Sequence, residues 1–450
     1  MTDLKHQISS ATTDSQDEII SFIQTMVQSP SLANDESDVQ SIVLNKLESL
    51  DLKTEIVPVH FDELMDHPAF NDDGYSPDSR YNVLGHWENS GNGKSLILNG
   101  HVDVVPTGDE KLWSDSPWSG KVEHGKLYGR GSCDMKAGLA SGIFAIQILQ
   151  KIEFLPTGNV MVQSVVGEES GSCGTLANVV KGYSADGAVI LEPTSLNICP
   201  IHSGALNFRL IIPGKATHGA MRLKGVSALE KMHLIHQSIL SFEQERNSAY
   251  QSDYFKSYAQ AAPINLGTIQ GGDWHSSVPD TVVVEGRFGI FPGETPDDAR
   301  LAFEKHIHKT ASQDAWLKCH PPVVEWFEGQ YESGYTNPDH PFIQLLVDCY
   351  DQTTSQKPII EGVPYAADMA LFTNYCKIPA VLFGPGNVRR ANSIDEYVEI
   401  DDIMNCIKII ANLIVDWCSG TDGKLWLPEY GGPYPPCFDQ TPKRCLSKST

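Results

Sequence analysis

The run Leu96-Ile97-Leu98-Asn99-Gly100-His101-Val102-Asp103 is strand-like and ends on an imidazole and a carboxylate two positions apart. Successive strand side chains alternate between faces, so His101 and Asp103 should share one face, as a metal ligand and the group that orients it. Clusters of metal-seeking acids follow at separate turns: Asp134, the pair Glu168-Glu169, and Glu192. A neutral imidazole with several carboxylates is a donor set that zinc, cobalt or manganese accepts, and so many clusters are hard to explain as surface decoration. Asp134 sits in the glycine-rich stretch Gly129-Arg130-Gly131-Ser132-Cys133-Asp134-Met135-Lys136-Ala137-Gly138, where it could cap a following helix or face a bound cation. Beside the histidine cluster the cation reading is favoured. Glu168-Glu169 could simply meet the positive end of a helix dipole. Next to a metal they can instead divide labour, one binding the cation and the other taking a proton from metal-bound water.

These groups must be carried by an alternation of strands and helices. Ser15-x-x-Glu18 reads as a capping box ahead of apolar residues at helical spacing, and a second helix is predicted over Asp38 to Leu50. Strands are predicted near Thr54 to Val59, Asn82 to Trp87, Ser95 to Val105, Asn159 to Val166 and Gly187 to Leu191, with an apolar helix from Ala137 to about Leu149. This pattern implies a mixed or mostly parallel α/β sheet covered by helices, in which ligands collect at strand ends. After residue 203 the order becomes strand, helix, strand, strand, helix, strand, from Leu206 to Phe327, which is a self-contained βαββαβ sandwich. The first pattern then resumes and closes on a helix from Ile400 to about Cys418. The reading is one catalytic domain from 1–203 and 325–450, interrupted by an inserted domain at 204–324. The aperiodic stretch 419–450 is read as an irregular strap.

Composition narrows the function. At 450 residues the chain exceeds the usual single core, and 41% hydrophobic content suits a soluble globular protein. With 57 acidic against 33 basic residues the net charge is -24, and no Lys/Arg block is present to track a phosphate backbone, which argues against nucleic acid. Neither a signal-peptide core nor a membrane-length apolar run is found, and the ten cysteines lack Cys-x-x-Cys spacing. The expectation is a cytoplasmic protein with reduced thiols and no membrane partner.

Taken in order, Gly100-His101-Val102-Asp103, Gly129 to Gly138, Gly167-Glu168-Glu169-x-Gly171, Glu192-Pro193 and Gly214-Lys215-Ala216-Thr217-His218 make this sequence similar to the M20 family of metallopeptidases and amidohydrolases, over about residues 15 to 418. The resemblance implies a zinc-exopeptidase-like catalytic domain with an inserted ferredoxin-like dimerisation or lid domain, and a homodimer. It implies that His101 and Glu192 bind one metal, Glu169 the second, and that Asp134 bridges them. Asp103 would orient His101, and Glu168 would be the general base and later the proton donor. His218 would stabilise an oxyanion, often across a dimer interface. The implied reaction is hydrolysis of the N-acyl amide of a small amino acid or amine, with zinc as the first metal and cobalt or manganese also fitting.

The pattern breaks in places. The family's last metal ligand is a histidine ahead of a segment like Asp395-Glu396-Tyr397-Val398, and Asn392 stands there instead. An amide oxygen is a poorer partner for zinc, so the second site should be weakened. Asn392 fits an active natural variant, a binder that does not hydrolyse, or a deliberate replacement of histidine. The arginine that grips a substrate carboxylate in several relatives is replaced by Gly289, leaving Arg287, Arg389 and Arg390 as substitutes. An N-acyl amino acid remains the leading substrate class, N-acyl or N-formyl amines become plausible, and a dipeptidase or carboxypeptidase is the rival within the family. Trp113, Trp118, Trp274 and His275 are weaker candidates for a pocket mouth, and Asp368 for the floor of the site or a helix cap.

Overall fold

The computed structural model describes residues 2–89 and 91–419. The strap read over 419–450 lies outside them, save Ser419.

Leu96–His101 is buried along its whole length, as a near-continuous apolar run predicts for an interior parallel strand. It pairs in parallel with Val160–Val165 on one side and Ala188–Ile190 on the other. These strands lie inside a nine-stranded mixed sheet whose neighbours are Lys53–Pro58, Tyr81–Trp87 and Val160–Val165 to one side. Ala188–Ile190, Ala380–Leu382, Ile198–His202 and Gly334–Tyr335 continue it to the other, with Ile360–Val363 also pairing to Ile198–His202. Because the central strands run the same way, the residues just past their C-terminal ends emerge on one side. Those residues are His101, Glu168-Glu169 and Glu192.

Helices Ala137–Lys151 and Ile400–Cys418 press on one face, and residues 137–149 are buried all round. Their closeness depends on a missing side chain: a Cβ on Gly138 would lie 1.9 Å from the Leu191 carbonyl oxygen.

A separate four-stranded antiparallel sheet has the order Ile264–Gly271, Thr281–Ile290, Gly204–Pro213, Val323–Tyr331. Helices Ala228–Ala249 and Pro296–Ser312 join its core, where Leu206, Phe208, Leu210 and Ile212 alternate inward. This is the ferredoxin-like βαββαβ unit. Its last strand runs on to Tyr331, beyond the 324 boundary read from sequence.

Some local expectations are corrected. A helix at Thr2–Asp14 precedes the predicted one, so Ser15 makes no cap bond and its hydroxyl donates to the Ala11 carbonyl at 2.8 Å. The predicted strand ending at Val105 stops at His101. A small sheet of Val122–Glu123, Lys126–Tyr128 and Tyr397–Glu399 was not foreseen, since such short strands carry no periodicity.

Candidate metal centre

The strand ends at His101, and Asp103, two residues on, keeps its Oδ1 3.7 Å from His101 Nδ1. His101 Nδ1 donates to the main-chain oxygen of Asp103 at 2.9 Å. A carbonyl only accepts, which places the proton on Nδ1 and directs Nε2 toward the acids. Nε2 lies 3.2 Å from Asp134 Oδ1 and 3.8 Å from Glu192 Oε1. The Asp103 carboxylate also accepts the backbone N–H of Glu168 at 3.2 Å and of Glu169 at 3.0 Å. Asp103 thus fixes the imidazole with its backbone and the acid pair with its side chain.

Ligand atoms of His101, Asp134 and Glu169 lie within 4.8 Å of one another, and so do those of His101, Glu168 and Glu192. Asp134 is not a helix cap, since the following helix starts after Lys136 and Asp134 has φ -121 and ψ 97. The Asp134–Met135 peptide is cis. Beneath this turn Glu396, fully buried, accepts the backbone N–H groups of Cys133 at 3.0 Å and Asp134 at 3.2 Å and pairs with Arg130. Burial pushes the Glu396 carboxyl up to about 7.

Glu168-Glu169 open a four-residue helix, too short to offer much dipole. Gly167 before them has φ 70, and a Cβ there would meet Arg80 Nη2 at 2.1 Å. Arg80 is itself buried, 2.6 Å from Asp73 Oδ2 and 3.2 Å from Glu36 Oε1, and Ser170 Oγ donates to the same Asp73 oxygen at 2.7 Å. The acid pair therefore rests on a buried ionic network.

Crowding sets the electrostatics. Burial, then the Glu192 charge, pushes Glu168 well above the carboxylate range, and burial with Asp134 does the same to Glu169. Glu192 is pushed up to about 8 by burial and Asp134. Burial works against an imidazolium at His101, but the Asp134 hydrogen bond and the charges of Asp103, Glu168 and Glu192 outweigh it and raise it. Buried acids of one sign this close are costly unless a cation joins them. Glu169 Oε1 is buried without a hydrogen-bond partner among the described residues. Oxygen donors, one oriented imidazole nitrogen and that unpartnered atom fit a divalent metal.

Asn392 is solvent-exposed with φ 59, on the loop after Gly386. His218 is exposed on the inserted unit, and its Nδ1 accepts the Ala220 N–H at 3.1 Å; in a single chain it stays outside the acid cluster. Asp368 is buried, makes no cap bond, and accepts the Thr175 hydroxyl, with burial raising it to about 6. Arg287 donates to the Pro364 carbonyl at 3.1 Å. Arg390 lies 5.4 Å over the Tyr397 ring, and Arg389 is exposed. Trp113 is buried, with Nε1 bonded to the Thr107 carbonyl at 2.9 Å, Trp118 is half-buried, and Trp274 is exposed beside His275. Sequence reasoning missed Glu396, Arg80, Asp73 and Tyr331, the last raised by burial and by the charges of Glu168 and Glu169. Of these, Glu396 lies inside a quoted motif, Asp395-Glu396-Tyr397-Val398, and so carried a signal that could have been followed.

The profile of "Peptidase family M20/M25/M40" matches residues 97–416. The chain belongs to the M20 family. A deformylase from Bacillus subtilis, acting by its name on N-formyl-4-amino-5-aminomethyl-2-methylpyrimidine, is 29% identical over 343 residues, covering 72% of this chain and 80% of that one. A probable succinyl-diaminopimelate desuccinylase from Staphylococcus aureus is 27% identical over 429 residues, covering 88% and 97%. Among solved structures, the di-peptidase Dug1p from Saccharomyces cerevisiae superposes with a TM-score of 0.74 at 14% identity, covering 94% of this chain and all of that one, which speaks for the shared fold. M20 membership makes this chain a metal-dependent hydrolase of amide bonds, and no helix among its described residues is long and apolar enough to cross a membrane.

Proposed function

We propose that this M20 hydrolase removes an acyl group from the nitrogen of a small amine or amino acid, with Glu168 as general base and proton donor. Support for four ligands, His101, Asp134, Glu169 and Glu192, comes from two groups that share His101: its ligand atoms lie within 4.8 Å of those of Asp134 and Glu169, and likewise of those of Glu192 and the buried Glu168. Divalent cations held by those four residues, zinc first and cobalt or manganese as substitutes, would supply charge to polarise the amide carbonyl and to acidify water. Glu168, buried and with raised proton affinity, is suited to take a proton from water and hold it for the leaving nitrogen. Asp103 keeps that carboxylate in place through the Glu168 and Glu169 amides. Asn392 in place of a histidine leaves the second metal weaker than the first. His218 joins the site from a second copy of the chain, in a homodimer built on the inserted unit. The cysteines among the described residues are free, which supports a reducing, cytoplasmic setting.

Supplying zinc, cobalt or manganese to the chelator-stripped chain with N-formyl, N-acetyl and N-succinyl amines and amino acids tests this reading. Metal-dependent release of free amine from at least one is the expected result. Stoichiometric metal binding with no amine released from any would leave a binder that does not hydrolyse.

A further inference from the structure

Beside the acid cluster lies a second cavity, of about 120 Å³, lined by Pro193, Thr194, Asn197, Tyr258, Glu361 and Arg389 among others. Its wall begins at the residue after Glu192. Arg389 comes from the loop that carries Asn392, and Tyr258 from the stretch between the inserted helix Ala228–Ala249 and the strand Ile264–Gly271. The cavity is thus bounded by both halves of the molecule.

Glu361, on Ile360–Val363, is 6% exposed. Its Oε1 accepts from Asn197 Nδ2 at 2.7 Å, while Oε2 has no hydrogen-bond partner among the described residues. A buried carboxylate oxygen lacking a donor costs folding free energy, and a cavity beside it is where a donor would fit. Tyr258 lines the same cavity, and burial and then the Glu361 charge push its hydroxyl up. The Tyr365 hydroxyl is likewise buried without a hydrogen-bond partner among the described residues.

We propose that this cavity receives the amine half of the amide and that Glu361 binds a second nitrogen on it, cationic or of amidine type. This deepens the deacylase reading and rests on it for the neighbouring reaction. Such a nitrogen gives a charge-assisted N–H···O bond, roughly twice as strong as a neutral one. Two sources share this chemistry: an aminopyrimidine ring, whose face Tyr258 could cover, and the side-chain ammonium of a diamino acid. A plain acyl amine has nothing to offer Glu361.

Calorimetric titration of the full-length, metal-loaded chain with 4-amino-5-aminomethyl-2-methylpyrimidine, ornithine and benzylamine tests the subsite without needing turnover. The wild type should bind the first or the second at least about tenfold more tightly than benzylamine, and which one identifies the source. Glu361→Gln should erase that preference. No preference in the wild type, or a preference that survives Glu361→Gln, overturns the proposal; the wild-type arm decides even where the variant does not fold. Glu361-dependent binding in a chain that hydrolyses no amide would sustain the subsite and sink the deacylase reading.

Discussion

Glu168 is the residue on which turnover depends most directly, because it is buried next to the ligands without being one of the four assigned to metal. Glu168→Gln keeps the shape and removes the base, so kcat should fall by about 10²- to 10⁴-fold with metal content unchanged. A variant that hydrolyses its amide at the parental rate would show that the base lies elsewhere. Asn392, proposed as the weakened ligand position, poses the opposite case. Its left-handed backbone, φ 59, is one that histidine tolerates better than most residues. Asn392→His should therefore raise second-metal occupancy in excess zinc, read by plasma emission on both proteins. Equal stoichiometry in the two would end the idea that this position is a metal ligand.

At the scale of elements, the ligands are held by contacts that leave little slack. The helix behind Asp134 approaches the strand end that carries Glu192 so closely that Gly138→Ala would drive a methyl into the Leu191 carbonyl. The expected loss is about 1–3 kcal/mol of stability, visible as a lower Tm; an unchanged Tm would mean the helix can shift freely. The network under the Glu168 turn has its own pH signature. Arg80 serves both Asp73 and Glu36, one cation for two buried acids, and burial followed by the Asp103 charge raises Glu36 from 4.5 to about 7. An acid with a raised folded pKa contributes stability that is full below its unfolded value and lost as pH rises through the folded one. Stability should thus decline across that window by up to about 3 kcal/mol from this group, and Glu36→Gln should flatten the decline in urea midpoints. A parallel decline in the variant would assign it to another group.

For the whole molecule, the inserted unit presents an edge at Ile264–Gly271 that is unpaired among the described residues and a helix, Ala228–Ala249, with Leu229, Leu240 and Ile269 exposed. Edges and apolar faces of this kind invite pairing with a second copy. Sedimentation should report a dimer, and Ile269→Lys should yield monomers with much reduced kcat, because His218 would no longer reach a neighbouring site. Monomers as active as the parent would remove His218 from the reaction.

Much of this was legible in the residues themselves. A run such as Leu96 to Leu98 must be an interior strand, and the alternation along Gly204–Pro213 must be a half-buried one, because burial demands those periods. The motifs around His101, Asp134, Glu168-Glu169 and Glu192 named the metal-seeking groups by chemistry alone. What local sequence could not state is which partners meet across the fold. That Asp103 serves the Glu168-Glu169 amides, that Arg80 props the turn from 87 positions away, and that Glu396 anchors Asp134 are long-range hydrogen bonds and contacts. No periodicity encodes them, since they form only when parallel strands bring their ends to one side. The sequence determined the donor set and the elements that carry it; the tertiary structure decided how each donor is aimed, because aim depends on neighbours that chain order keeps apart.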